Sequence, residues 1–82
     1  MSNVIIQGRE YWLVVGSDLD RDGMFLECSD ANDGTKVFIE VFYSDADGSF
    51  TVDMFGHALP LALVKLVVAT AERELPPRPV SD

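Results

Sequence analysis

A run of acidic residues at alternate positions is the feature of this sequence that most resembles a chemical site. Asp18, Asp20 and Asp22 lie two apart and Gly23 follows them, which is how the calcium-binding loop of an EF-hand begins. The twelfth position of such a loop supplies a bidentate Glu, whereas this sequence has a serine there, and an arginine interrupts the run. We therefore interpret the run as an acid-rich hairpin turn and keep calcium binding as the weaker hypothesis.

The single cysteine and the single histidine are the candidates for nucleophilic catalysis. A cysteine nucleophile needs a nearby base and an electropositive pocket, but Cys28 falls among apolar alternating residues and His57 in a turn after Gly56. The chain offers no nucleophile paired with a base and no complete set of metal ligands. We therefore expect a protein that is not an enzyme and needs no cofactor.

Four runs of residues alternate with a period of two, as strands with one buried face do. One column of side chains is almost wholly apolar and predicts the core: Tyr11, Leu13, Val15, Met24, Leu26, Cys28, Val37, Ile39, Val41, Tyr43, Phe50, Val52 and Met54. The other column mixes large aromatic residues with carboxylates: Glu10, Trp12, Val14, Phe25, Glu27, Phe38, Glu40, Phe42, Thr51, Asp53 and Phe55. An aromatic patch of this size is more than a monomer normally leaves in water.

Something must therefore cover the second column, and the sequence leaves three alternatives. It could be the amino-terminal segment Val4–Ile6, a second copy of the chain, or a different protein. Glu27, Glu40 and Asp53 are expected to be neighbours there, where they could in principle perform acid–base chemistry, although solubilising charge is the simpler interpretation. Two identical acidic faces repel each other, so the carboxylates favour a different protein with basic groups.

Turns rich in Ser and Asp and ending in Gly separate the four runs, and loops this short force neighbouring strands to be antiparallel. After the fourth run the apolar residues follow helical spacing from about Leu59 to Leu75, and Pro76-Pro77 ends the pattern. The sequence thus predicts an α+β fold, a four-stranded antiparallel meander with one carboxy-terminal helix packed on one face. We expect residues 1–75 to form a single ββββα domain and 76–82 a flexible proline-rich tail. Leu61 and Val68 remain uncovered on the helix and form a candidate secondary interface.

Composition narrows the partner and the setting. The 82 residues carry six Lys and Arg against fourteen Asp and Glu, a net charge of −8, which disfavours nucleic acid and anionic membrane and favours a basic partner. No stretch predicts a signal peptide or a membrane span. The lone Cys28 forms no disulfide within the chain, so we expect a cytoplasmic protein.

The Asp-Gly hairpins, the Trp in the first of the four strands and the closing helix together resemble one family. Small acidic immunity proteins of bacterial polymorphic toxin systems have this layout from the first of these strands to the helix end. The resemblance implies a few antiparallel strands with a helix, and a function of binding a toxin domain and blocking its active site. It implies no role for any single residue. Phage-encoded inhibitors of bacterial defence enzymes share the same layout.

We therefore predict a stoichiometric inhibitor of a basic protein, for example a toxin or nuclease. The predicted partner-binding residues are Glu10, Trp12, Phe25, Glu27, Phe38, Glu40, Phe42, Asp53 and Phe55. The alternative is a structural accessory protein that homodimerises through the same column or through Leu61 and Val68. A calcium-binding module is the third class.

Overall fold

The computed structural model describes residues 2–77, which form one antiparallel sheet and one helix. The elements are β1 (Ser2–Ile6), β2 (Arg9–Asp18), β3 (Gly23–Asp30), β4 (Asp33–Ser44), β5 (Phe50–Asp53) and α1 (Leu61–Glu74). The strands lie side by side in chain order, each antiparallel to its neighbours. The predicted antiparallel meander and carboxy-terminal helix are confirmed, but the sheet has five strands where the sequence predicted four.

The additional strand is β1, which contains the Val4–Ile6 segment. A two-residue turn joins it to β2, and Gln7 and Gly8 both have positive φ there, 52° and 78°, as the tightest hairpin turns require. This turn lacks the Asn-Gly or Asp-Gly pair that marks such hairpins most clearly. Because β1 pairs with β2, the Val4–Ile6 segment extends the sheet at its edge and does not cover either face.

The core lies between α1 and one face of the sheet. Leu63, Val67 and Ala71, spaced four apart on α1, are fully buried. They share one cluster with sheet residues of the apolar column: Tyr11, Leu13, Leu26, Cys28, Ile39 and Val41. Pro60 immediately precedes α1 and its carbonyl accepts the first helical hydrogen bonds. Leu75 is buried after the helix end, and of the predicted tail only residues 76–77 lie within the described part of the chain.

A β-bulge in β4 changes which side chains face the core. Cys28 is opposite Ile39, but the next pair is Ser29 with Val37, so Phe38 is an extra residue without a partner. A bulge re-aims side chains, and here Phe38 joins Ile39 in the core with 4% of its surface exposed. The sequence placed Phe38 in the aromatic–acidic column and Val37 in the apolar one. The bulge reverses both assignments, because a shift of one residue exchanges the faces of a strand.

The single helix covers only the middle of the sheet. It packs mainly against β3 and β4, so three residues of the predicted core column are left exposed: Val15, Phe50 and Val52. Among residues 2–77, no helix has both the length and the apolar composition that crossing a bilayer requires.

Candidate functional site

The side of the sheet turned away from α1, here called the outer face, carries most of the predicted partner-binding residues. One row across the strands consists of Gly16, Phe25, Phe42 and Thr51, and the next consists of Val14, Glu27, Glu40 and Asp53. Trp12 lies on the same face, opposite to Leu13 in the core. The alternation therefore predicted both the aromatic row and the row of three adjacent carboxylates.

Each large aromatic side chain of the outer face rests on a glycine. A Cβ atom at Gly16 would lie 2.6 Å from the Phe25 ring, and one at Gly23 would lie 2.5 Å from the Phe42 ring. Trp12 similarly lies over Gly34, at 3.5 Å from such an atom. Glycine gives each ring a place to lie against the sheet. The rings are thus half-buried and held in place although no described element covers them.

Arg21 reaches from the β2–β3 turn onto the outer face and binds the middle carboxylate of the row. Its two terminal nitrogens each donate to one oxygen of Glu40, both at 2.9 Å. Its Nε donates to Asp18 at 2.6 Å, and its guanidinium lies 4.3 Å from the centre of the Phe42 ring. The hydrogen bond to Glu40, and to a smaller extent the one to Asp18, raises the pKa of Arg21. The guanidinium therefore stays protonated.

This role of Arg21 was not predicted. From the sequence, Arg21 is only a positive charge within a poor match to a calcium loop, because its partner Glu40 is nineteen positions away. The available signal was chemical: three adjacent carboxylates on one sheet face repel one another and call for a nearby cation. Arg21 is the only basic side chain in the turn that joins β2 to β3.

The acidic turn is organised by its own backbone and by Arg21. One oxygen of Asp18 accepts from the amides of Asp20 and Arg21, both at 3.1 Å, while the other accepts from the Arg21 side chain. Donation from Arg21 lowers the pKa of Asp18. Between residues 2 and 77, no three His, Cys, Asp or Glu side chains converge as a metal site, so the geometry of Asp18, Asp20 and Asp22 does not support the weaker hypothesis of calcium binding.

Cys28 and His57 lie on the helix side of the sheet and in a turn, respectively. Cys28 has no exposed surface, and burial raises the pKa of its thiol to about 11. A buried, protonated thiol is a poor nucleophile. The His57 ring instead packs edge-to-face against Phe38, with centroids 5.2 Å apart.

Phe55 lies outside the outer-face rows, in the turn between β5 and α1. Phe55 and Gly56 have φ of 53° and 79°, and the amide of His57 donates to the carbonyl of Met54 at 2.9 Å. A bulky residue rarely adopts positive φ. Half of the Phe55 surface is nevertheless exposed, so packing offsets the strain only in part.

Replacing Phe55 with Asn is expected to stabilise the protein by about 1 kcal/mol, because Asn-Gly is a preferred pair for this backbone geometry. Thermal unfolding of the variant and the wild type measures the gain. Phe55→Leu is the matched control, since it keeps an apolar side chain at positive φ and should give no gain. An Asn variant that melts at or below the wild-type temperature would show that the positive φ of Phe55 does not destabilise the protein.

The remaining predicted residues lie at the margins or on the other side. Glu10 is at the β1–β2 edge of the outer face, where its carboxylate accepts from Asn3 at 3.0 Å. On α1, Leu61 is 72% exposed and Val68 is half-buried. The structure therefore brings Trp12, Phe25, Glu27, Glu40, Phe42 and Asp53 together on one face. It separates them from Phe38, Phe55 and the helix pair.

Comparison of the chain with models of protein families, with curated proteins and with solved structures found no match. The case for function therefore depends on the geometry and charge of the outer face.

Proposed function

We propose that the protein is a non-enzymatic binding module that inhibits a basic protein by docking its outer face onto it. The observation that carries this proposal is a sheet face on which fixed aromatic rings and a row of carboxylates lie together, with no element among residues 2–77 covering them. Trp12, Phe25 and Phe42 supply the rings, and Glu27, Glu40 and Asp53 supply the row.

The arrangement suits tight binding because little order has to be imposed on it. Each ring already rests on a glycine, so its rotamer freedom is largely lost before a partner arrives, and this lowers the entropic cost of association. Aromatic anchors commonly contribute most of the energy of an interface. The carboxylates, on a chain of net charge −8, would attract a basic surface and accelerate the encounter.

The amino-terminal segment is no longer a candidate cover, since it lies at the sheet edge as β1. Of the two remaining covers, a second copy would place two rows of like charge against each other. A partner with basic groups faces no such penalty. A toxin or nuclease in the bacterial cytoplasm, as the resemblance to immunity proteins implies, has the required character, and so does a defence enzyme inhibited by a phage protein.

The test is capture of a stoichiometric partner from an extract of the source cells, followed by kinetics on the purified pair. Phe42→Ala should speed dissociation by about 30-fold or more, since a buried aromatic anchor contributes about 2 kcal/mol or more to binding. The partner retained by the wild type should be basic and should bind one to one.

Leu61→Ala is the matched control, because it removes an exposed apolar side chain from the opposite side of the molecule. It should leave the dissociation rate unchanged. If Leu61→Ala loses the partner and Phe42→Ala does not, the interface lies on the helix and not on the outer face. A wild-type protein that is a stable dimer in light scattering, and that Phe42→Ala makes monomeric, would favour the accessory-protein alternative. Thermal unfolding of each variant without the partner is the control that the variant is folded.

A further inference from the structure

A guanidinium group is already bound on the outer face, and it shows which chemistry this surface recognises. Arg21 makes two parallel hydrogen bonds to Glu40, both 2.9 Å long, and lies over the Phe42 ring at 4.3 Å. Two parallel donors to a carboxylate together with stacking on a ring are features that arginine offers and lysine does not. The pair of Glu40 and Phe42 is therefore an arginine site that the chain itself fills.

The same pair of side chains is repeated on the neighbouring strand. Glu27 is directly opposite Glu40, and Phe25 is directly opposite Phe42, so a second carboxylate and ring stand beside the first in the same order along the sheet. Both are half-buried. The hydrogen bonds and ion pairs found between residues 2 and 77 leave the Glu27 carboxylate without a donor.

We infer that Glu27 and Phe25 form a binding site for an arginine side chain of the partner. This inference rests on the proposed function, and it names the chemical group that the outer face selects. A partner arginine would bind Glu27 as Arg21 binds Glu40, with its guanidinium over the Phe25 ring. It would also offset the repulsion between Glu27 and Glu40, which face each other across β3 and β4.

The third carboxylate of the row does not offer an equivalent site. Asp53 lies opposite Glu40, but the residue beside it in the aromatic row is Thr51, opposite Phe42, so no ring is available for stacking. One Asp53 oxygen also accepts from the amide of Phe55 at 2.8 Å. Of the two carboxylates that flank the Arg21 contact, only Glu27 thus combines a neighbouring ring with a carboxylate that accepts no hydrogen bond from the described part of the chain.

The experiment compares hexa-arginine with hexa-lysine as probes, by calorimetric titration at physiological ionic strength. Hexa-arginine should bind the wild-type protein about fivefold more tightly than hexa-lysine, because only guanidinium makes paired hydrogen bonds and stacks. Glu27→Gln should weaken hexa-arginine binding about fivefold and abolish the preference over hexa-lysine. Phe25→Leu, which keeps an apolar side chain without a ring, should reduce the preference about threefold.

Glu72→Gln is the matched control, since Glu72 is exposed on α1 and its replacement changes the net charge equally. It should weaken hexa-arginine binding less than twofold. Equal weakening by the Glu27 and Glu72 variants, or equal binding of the two peptides, would overturn the arginine site. That outcome would leave the proposed function standing, because the capture experiment with Phe42→Ala does not depend on arginine.

Arg21→Ala provides an independent check of the template. It vacates the pair of Glu40 and Phe42, so hexa-arginine should bind the variant several-fold more tightly than the wild type. Arg73→Ala removes the same charge from an exposed helix position and should have a smaller effect. If Arg21→Ala and Arg73→Ala strengthen hexa-arginine binding equally, the gain reflects net charge alone. The contact of Arg21 with Glu40 and Phe42 would then not support the inferred arginine site.

Discussion

Phe38→Ala is expected to lower the free energy of unfolding by about 3–5 kcal/mol, as large aromatic truncations in cores do. The ring is 4% exposed and packs edge-to-face against Tyr11 and His57 at 5.8 and 5.2 Å between centroids. Arg9 also lies over it, at 5.0 Å from the ring centre. A loss of this size approaches the whole stability of a small domain, so chemical denaturation should show a largely unfolded variant.

Phe55→Ala is the matched control for this change, because it removes the same side chain from a half-exposed turn. Its effect should be within about 0.5 kcal/mol of zero, as for most surface substitutions. The sequence placed both phenylalanines in one binding column. Similar unfolding midpoints for the two variants would show that the bulge does not turn Phe38 into the core.

Gly23→Ala is expected to destabilise the protein by about 3 kcal/mol, at the upper end of the usual cost of overpacking. The added Cβ would overlap the carbonyl oxygen of Tyr43 and approach the Phe42 ring to 2.5 Å. The ring could swing away, but the carbonyl belongs to β4, which pairs with β3 along this stretch. Relief would therefore require the two strands to separate locally.

Gly34→Ala offers the comparison, since its Cβ would meet only the Trp12 ring at an ordinary 3.5 Å. This variant should unfold within about 1 kcal/mol of the wild type. Thermal or urea unfolding of the two alanine variants measures the difference. Equal stabilities would show that the β3–β4 pair yields at Gly23 more easily than the contact distances indicate.

The parts of the fold that follow from local chemistry were predictable from the sequence. Ser- and Asp-rich turns and period-two alternation identified β2 to β5, and helical spacing between Pro60 and Pro76 identified α1. The Asp33-Gly34 pair nevertheless lies at the start of β4 and not in the turn that precedes it. The edge strand β1 was missed, because its five residues lack clear alternation and its Gln-Gly turn is a weak signal. A strand of this kind is defined mainly by its partner.

The outer face was predictable in composition but not in detail. Alternation placed Trp12 and Phe42 on it correctly, whereas the bulge at Phe38 depends on how β3 and β4 pair and leaves no mark in β4 alone. The contact of Arg21 with Glu40 joins a turn to a distant strand. Contacts of this kind are set by tertiary structure, which the spacing of residues along one strand does not contain.

The glycines beneath the aromatic rings give the outer face an unusual genetic vulnerability. A substitution at Gly16 would push the Phe25 ring off the sheet, and the surface presented to a partner would change although the mutated position presents no side chain to it. A scan for loss of recognition would then identify residues that contribute nothing to the contact area. If the outer face binds a partner as proposed, the positions that define the shape of this surface and the positions that touch the partner are different sets.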